Sequence, residues 1–150
     1  MAVTRGQWPS SPLIACPWLP GPTTSLQSLM SYAVYYWQGK IGIACPIGRE
    51  AINVAEESGD MHSKSAAYVA HGVACYGKGF LEAASKQVVM GIDFSEKSNL
   101  LVWNALGQHF MGEMCFESGN YQKAEYHFGK SSRLSDDCVW MPSWTNIHKL

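Results

Sequence analysis

Residues Gly72 to Phe80 read GVACYGKGF, and within them lies G-x-x-x-x-G-K, seven of the eight positions of a phosphate-binding P-loop. The chemistry that motif performs needs a Ser or Thr hydroxyl at the eighth position to ligate Mg²⁺, and Gly79 stands there instead. It also needs a buried strand leading into the loop. The preceding SKSAAYVAH is rich in alanine and has no β-branched run, so the expectation is that Lys78 binds no nucleotide. One residue upstream, His71 and Cys75 are four apart and share a face on a helix, as two metal donors would. Two donors do not make a site. No carboxylate or further His falls at a fitting spacing nearby, and Cys75 recurs at Cys115 where the counterpart of His71 is Met111; packing is the expectation and no metal is assigned. Five Cys and five His allow many nucleophile pairs, but no nucleophile loop or oxyanion-hole pattern selects one, so no catalytic residue is assigned. The acidic run Glu56 to Asp60 lacks the alternate spacing of a calcium loop and reads as a solvated helix end. By the same logic Ala55, followed by Glu56 and Glu57, is expected to face water.

The composition bounds what remains. At 150 residues, with 47% hydrophobic and 15% charged, the chain has the material for one folded domain with a modest core. A net charge of −1 and no Lys/Arg run argue against nucleic acid as a partner. No apolar stretch approaches a membrane span. Five of the seven prolines fall in the first 22 residues and mark an irregular arm over residues 1–23, without the uninterrupted apolar run of a signal peptide. Without a secretion signal, the odd, scattered cysteines read as reduced thiols in a cytoplasmic chain, and no cofactor is assigned.

The glycines have a better explanation than phosphate binding. Gly39, Gly79 and Gly119 are spaced by 40 residues, as are Ala44, Ala84 and Ala124, and Tyr36, Tyr76 and Phe116. Gly72 and Gly112 fall in the same register, with Cys75 and Cys115. The chain is therefore an array of repeats. In the last unit an apolar helical segment reaches Phe116, the turn ESGN follows, and an amphipathic segment runs from Tyr121 to about Leu134. Gly119 suits positive φ just past a helix end. Gly112 and Ala124, small residues one on each helix, mark the crossing, with Phe116, Tyr121 and Phe128 filling around it. The unit is an antiparallel helical hairpin and the fold class is all-α.

GEMCFESGNYQKAEYHFGKS resembles a tetratricopeptide repeat at Gly112, Phe116, Gly119, Tyr121, Ala124, Phe128 and Ser131. GVACYGKGFLEAASKQVVMG resembles it at Gly72, Tyr76, Gly79, Leu81 and Ala84, with Val88 and Gly91 as weaker members. The first unit keeps Tyr36, Gly39, Ala44 and Ala51, departs at Tyr32, and contains Pro46, which restricts where its second helix begins. The resemblance covers about residues 25–137 and implies an α-solenoid of three hairpins over 24–138, with residues 139–150 opening a further, truncated helix. A narrower likeness, carried by YAVYYWQGKIGIACPIGREA and AINVAEESGDMHSKSAAYVAHGVACYGKGFLEAASK, is to the repeat tail of bacterial proteins that join a class III nucleotide cyclase to a signalling ATPase. It implies a fragment of such a tail with no catalysis of its own.

In that family the first helix of each hairpin lines the concave face. Carried over, the face comprises Tyr36 and Trp37, then Val73 and Tyr76, then His109, Glu113, Phe116 and Glu117. A groove with aromatic anchors suits an extended peptide or a helix, and the two glutamates favour a basic or neutral one. The leading expectation is a protein-interaction or regulatory module with a protein or peptide partner. Self-association through uncapped apolar ends is expected as well. The alternative is a regulatory segment that holds a small molecule between helices, for which His109 and Glu113 are the visible polar pair.

Overall fold

The structure, a computed structural model, describes residues 35–137. The expected N-terminal arm and the segment 139–150 lie outside the described residues. Residues 35–37 are helical, and five helices follow: α1 Ile41–Ser58, α2 Met61–Gly77, α3 Leu81–Lys97, α4 Leu101–Glu117 and α5 Tyr121–Asp136. No strand occurs among the described residues, and none of their helices is long and apolar enough to cross a membrane.

The helices begin every 20 residues, at Ile41, Met61, Leu81, Leu101 and Tyr121, so the 40-residue period is two helices and two tight turns. The turns explain the regularity. Gly39, Gly79 and Gly119 have φ of 72°, 81° and 76°, the left-handed region in which a Cβ costs energy. In the turn between α3 and α4 the same position is Asn99 at φ 54°, asparagine being the residue that best tolerates that region after glycine. In each of these four turns the next residue donates its N–H to the carbonyl five positions back around the helix end: Lys40 to Tyr35, Phe80 to Cys75, Leu100 to Ser95 and Asn120 to Cys115, at 2.8–3.0 Å. That bond satisfies a terminal carbonyl and reverses the chain. The α1–α2 turn is built differently. Gly59, φ 69°, bonds back to Ala55, and Asp60 then caps α2 by accepting from Ser63 N at 2.8 Å and His62 N at 3.4 Å.

Pro46 lies inside α1 rather than ahead of it. The N–H that it lacks would have reached the carbonyl of Gly42, an exposed residue near the helix start, where water replaces the lost bond.

Each helix packs against its neighbours in the chain, and α2 also touches α4. Within the α2–α3 hairpin the backbones come close. A Cβ on Gly72 would lie 3.0 Å from Val88 N and 3.1 Å from Ala84 O; one on Gly91 would lie 2.8 Å from Val69 N and 3.0 Å from Ser65 O. Ala44, Ala84 and Ala124 are all buried. The two hairpins also share a cross-link. Ser65 Oγ donates to Gly91 O at 3.1 Å between α2 and α3, and Ser131 Oγ donates to Ala105 O at 2.8 Å between α4 and α5. Residue 65 is the register mate of 105 and residue 91 that of 131, so the contact repeats with the hydroxyl moved to the opposite helix.

The core runs around α2. Ala44 and Ile47 of α1 meet Ala66, Val69, Ala70, Val73 and Ala74, with Trp103, Leu106 and Phe110 of α4 closing over them. A second cluster joins Cys75 to Ala84, Val88 and Met114. Ala55 is fully buried with Ala51 and Ala67, contrary to the expectation that its acidic neighbours carry it into solvent. Those neighbours act elsewhere: Glu56 pairs with Lys64 at 2.7 Å and accepts from Tyr68 Oη at 3.1 Å.

Candidate functional site

Gly72 to Gly77, the body of the near-P-loop, lie inside α2, where their N–H groups are engaged in the helix. Lys78 caps the C-terminal end, at which a helix presents carbonyls and the negative pole of its dipole. A phosphate needs the opposite end, and the arrangement cannot cradle one.

The residues expected on the binding face divide into three groups. Tyr36, Tyr76, Glu113 and Glu117 converge. Tyr76 Oη donates to Glu117 at 2.7 Å, joining the ends of α2 and α4, and its ring meets Phe110 edge-on at 6.0 Å between centroids. Burial, then the Glu117 and Glu113 carboxylates, and last the Tyr36 phenol hold the Tyr76 hydroxyl far above the usual phenol range. Burial and then Glu113 push Tyr36 in the same direction. Both hydroxyls therefore stay protonated through the physiological range. Trp37, 75% exposed, stands edge-on to Tyr36 with centroids 5.9 Å apart.

The second group lies at the margin of this patch. His109 Nε2 is 3.9 Å from Glu113 Oε1, and its ring is flanked by Phe110 and Phe128. Phe116, 56% exposed, leans on Tyr121 of the next helix at 5.4 Å. Val73 is the third case. It is buried in the core between α1, α2 and α4, so it supports the face and does not line it. The reason is that α2 is sunk among three neighbouring helices.

Phe110 belongs to the patch and is absent from the expected set. Its signal is legible: residues 110, 113 and 117 share one helix face with three- and four-residue spacings. For the small-molecule alternative, a surface depression of about 560 Å³ is lined by Phe80 to Ala83 with Lys86 and Gln87, along the start of α3 and away from His109 and Glu113.

No family model, curated protein or solved structure matches the chain. The case for a function rests on its own residues.

Proposed function

We propose that this chain is a protein-interaction module of tetratricopeptide type that binds a basic or neutral peptide segment across its first helices. In the architecture it resembles, the module is a regulatory tail of a nucleotide cyclase and ATPase protein and performs no catalysis itself. The observation that carries the reading is the patch made by Tyr36, Tyr76, Phe110, Glu113 and Glu117, with the Trp37 indole exposed beside it. Aromatic side chains supply large contact area at low entropic cost, and two carboxylates at the rim select against acidic ligands.

The test is fluorescence anisotropy with labelled peptides of equal length and graded charge, run on the full chain. Lys/Arg-containing peptides are expected to bind more tightly than acidic ones, with affinity falling as salt rises. The double variant Glu113→Gln/Glu117→Gln is expected to lose that preference, and Trp37→Ala to weaken every peptide. Equal binding of acidic and basic peptides, or none at all, overturns the reading. The link to a signalling protein is tested separately by the genomic DNA flanking this reading frame, where a cyclase or ATPase frame upstream is expected.

A further inference from the structure

His71 and Cys75 are not alone. The fold brings Cys45 from α1 against them, so that Cys45 Sγ lies 4.0 Å and Cys75 Sγ 3.8 Å from His71 Nε2, with all three donor atoms within 4.8 Å of one another. A tetrahedral zinc ion, with bonds of roughly 2.0–2.3 Å to nitrogen and sulfur, requires donors about 3.5–3.8 Å apart. Closing the triangle therefore takes shifts of a few tenths of an ångström to about one. From these three side chains we propose a metal site at the junction of α1 and α2: a Cys₂His centre for a zinc-class cation, its fourth position left to water.

Four observations carry the assignment. First, the donor chemistry is soft and matched, two thiols and one imidazole, the set that selects zinc over magnesium or calcium. Second, His71 is buried, 6% exposed, and its other ring nitrogen, Nδ1, has no well-formed hydrogen bond. The buried Oε1 of Gln87, on α3, is likewise unsatisfied. Gln87 nevertheless lies close enough to oppose the effect of burial on the imidazole. A metal on Nε2 fixes the tautomer with the proton on Nδ1, and that N–H has Gln87 Oε1 as its acceptor; one ion thus settles both orphaned atoms. Third, Cys45 is half-buried, which leaves a path to solvent.

The fourth observation is an internal comparison. Forty residues on, the same junction between α3 and α4 is occupied by Ser85, Met111 and Cys115, with Ser85 Oγ 4.0 Å from Met111 Sδ. The packing position repeats but the ligand set does not. Helix packing alone therefore does not require Cys and His at 45, 71 and 75. Bound there, the ion fastens the second helix of one hairpin to the first helix of the next.

The experiment uses the full chain, reduced and stripped of metal, titrated with Co²⁺ and then Zn²⁺. One Co²⁺ per chain is expected, with a thiolate-to-cobalt charge-transfer band in the near ultraviolet and tetrahedral visible bands that Zn²⁺ abolishes. Zn²⁺ is expected to raise the thermal midpoint. The variant Cys16→Ser/Cys115→Ser/Cys138→Ser, which keeps only the two proposed thiols, retains the signal. Cys45→Ser loses the charge-transfer intensity while its circular dichroism stays helical, and His71→Ala loses the tetrahedral bands. Gln87→Leu keeps the spectrum and weakens affinity by about 10–100-fold. Absence of a cobalt spectrum, a spectrum that survives Cys45→Ser, or one that disappears in the triple serine variant overturns the site. So does a Cys45–Cys75 disulfide found by mass spectrometry in a protein that takes up no metal after reduction.

Discussion

His127 Nδ1 lies 2.7 Å from Gln108 Oε1 and must carry the proton that it donates, while Gln108 Nε2 donates to Asn104 Oδ1 at 3.3 Å. Burial first, then Lys130 and Lys123, hold the imidazole below its usual 6.5. A folded-state pKa below the unfolded one means that the unfolded chain binds more protons in that window. Stability is then flat above about pH 6.5 and falls as pH drops below it. His71 is shifted the same way by burial, so it shares this slope. Denaturant unfolding of His127→Gln and the parent between about pH 7 and 5 is expected to show part of the slope removed; an unchanged slope assigns it elsewhere. Ala55 teaches a different residue-scale lesson. Its acidic neighbours suggest solvent, but the 40-residue register places it with Ser95 and Ser135, both small and both buried. Ala55→Leu, Ala84→Leu and Ala124→Leu are each expected to cost about 1–3 kcal/mol by overpacking. Ala84→Leu is the worst of them, because the hairpin of α2 and α3 is flanked by a helix on each side. If Ala55→Leu unfolds with the parent's midpoint, the α1–α2 contact is looser than the structure shows.

At the scale of elements, α2 and α3 approach each other through glycine and backbone, while the junction of α3 with α4 is made through side chains. A Cβ at Gly91 would press on backbone, Val69 N and Ser65 O, whereas one at Gly107 would meet Ile92 Cγ1 and Cδ1, which can turn away. Gly91→Ala is therefore expected to destabilise by about 1–3 kcal/mol, and Gly107→Ala by less, since alanine's better helix propensity offsets part of the clash. Equal midpoints in urea for the two variants would show that the α2–α3 backbones separate freely. The hairpins themselves were legible because turn glycines and crossing alanines recur at a fixed period. The finer period of 20 was legible too, through Gly59 and Asn99 between the glycines at 39, 79 and 119. A 40-residue comparison hides it, because the two intervening turns differ from the others, by the residue at Asn99 and by the hydrogen bond at Gly59. Pro46 misleads because a proline so near a helix start costs only one solvent-facing bond. The Cys45–His71–Cys75 cluster was half legible. Spacing reveals His71 and Cys75 on one face, while Cys45, 26 residues away from His71, comes from packing that no local pattern encodes.

At the scale of the molecule, α2 is the axis. Every residue from Ser65 to Cys75 is buried, although only Tyr68, Val69, His71 and Val73 among them are large. The small ones, Ala66, Ala67, Ala70, Gly72 and Ala74, let α1, α3 and α4 close in from different sides, which is why the helix shows no polar stripe. That burial also withdraws Val73 from the binding face while leaving Tyr76, one turn further on, at its edge. By contrast α5 buries only Ala124, Ser131 and Ser135, a single stripe set against α4 among the described residues. A chain of hairpins stacked neighbour to neighbour should open from its less covered helices before its axis gives way. Native-state hydrogen exchange reads this directly. The amides from Val69 to Cys75 are expected to exchange only through global unfolding, with free energies that match denaturant unfolding and fall with its slope. Amides in α5 are expected to exchange at least about tenfold faster, a gap of about 1.4 kcal/mol, with little dependence on denaturant. Should α5 show the same protection and the same denaturant slope as α2, the hairpins melt as one unit, and the side-chain junction of α3 with α4 is as strong as the glycine crossings inside them.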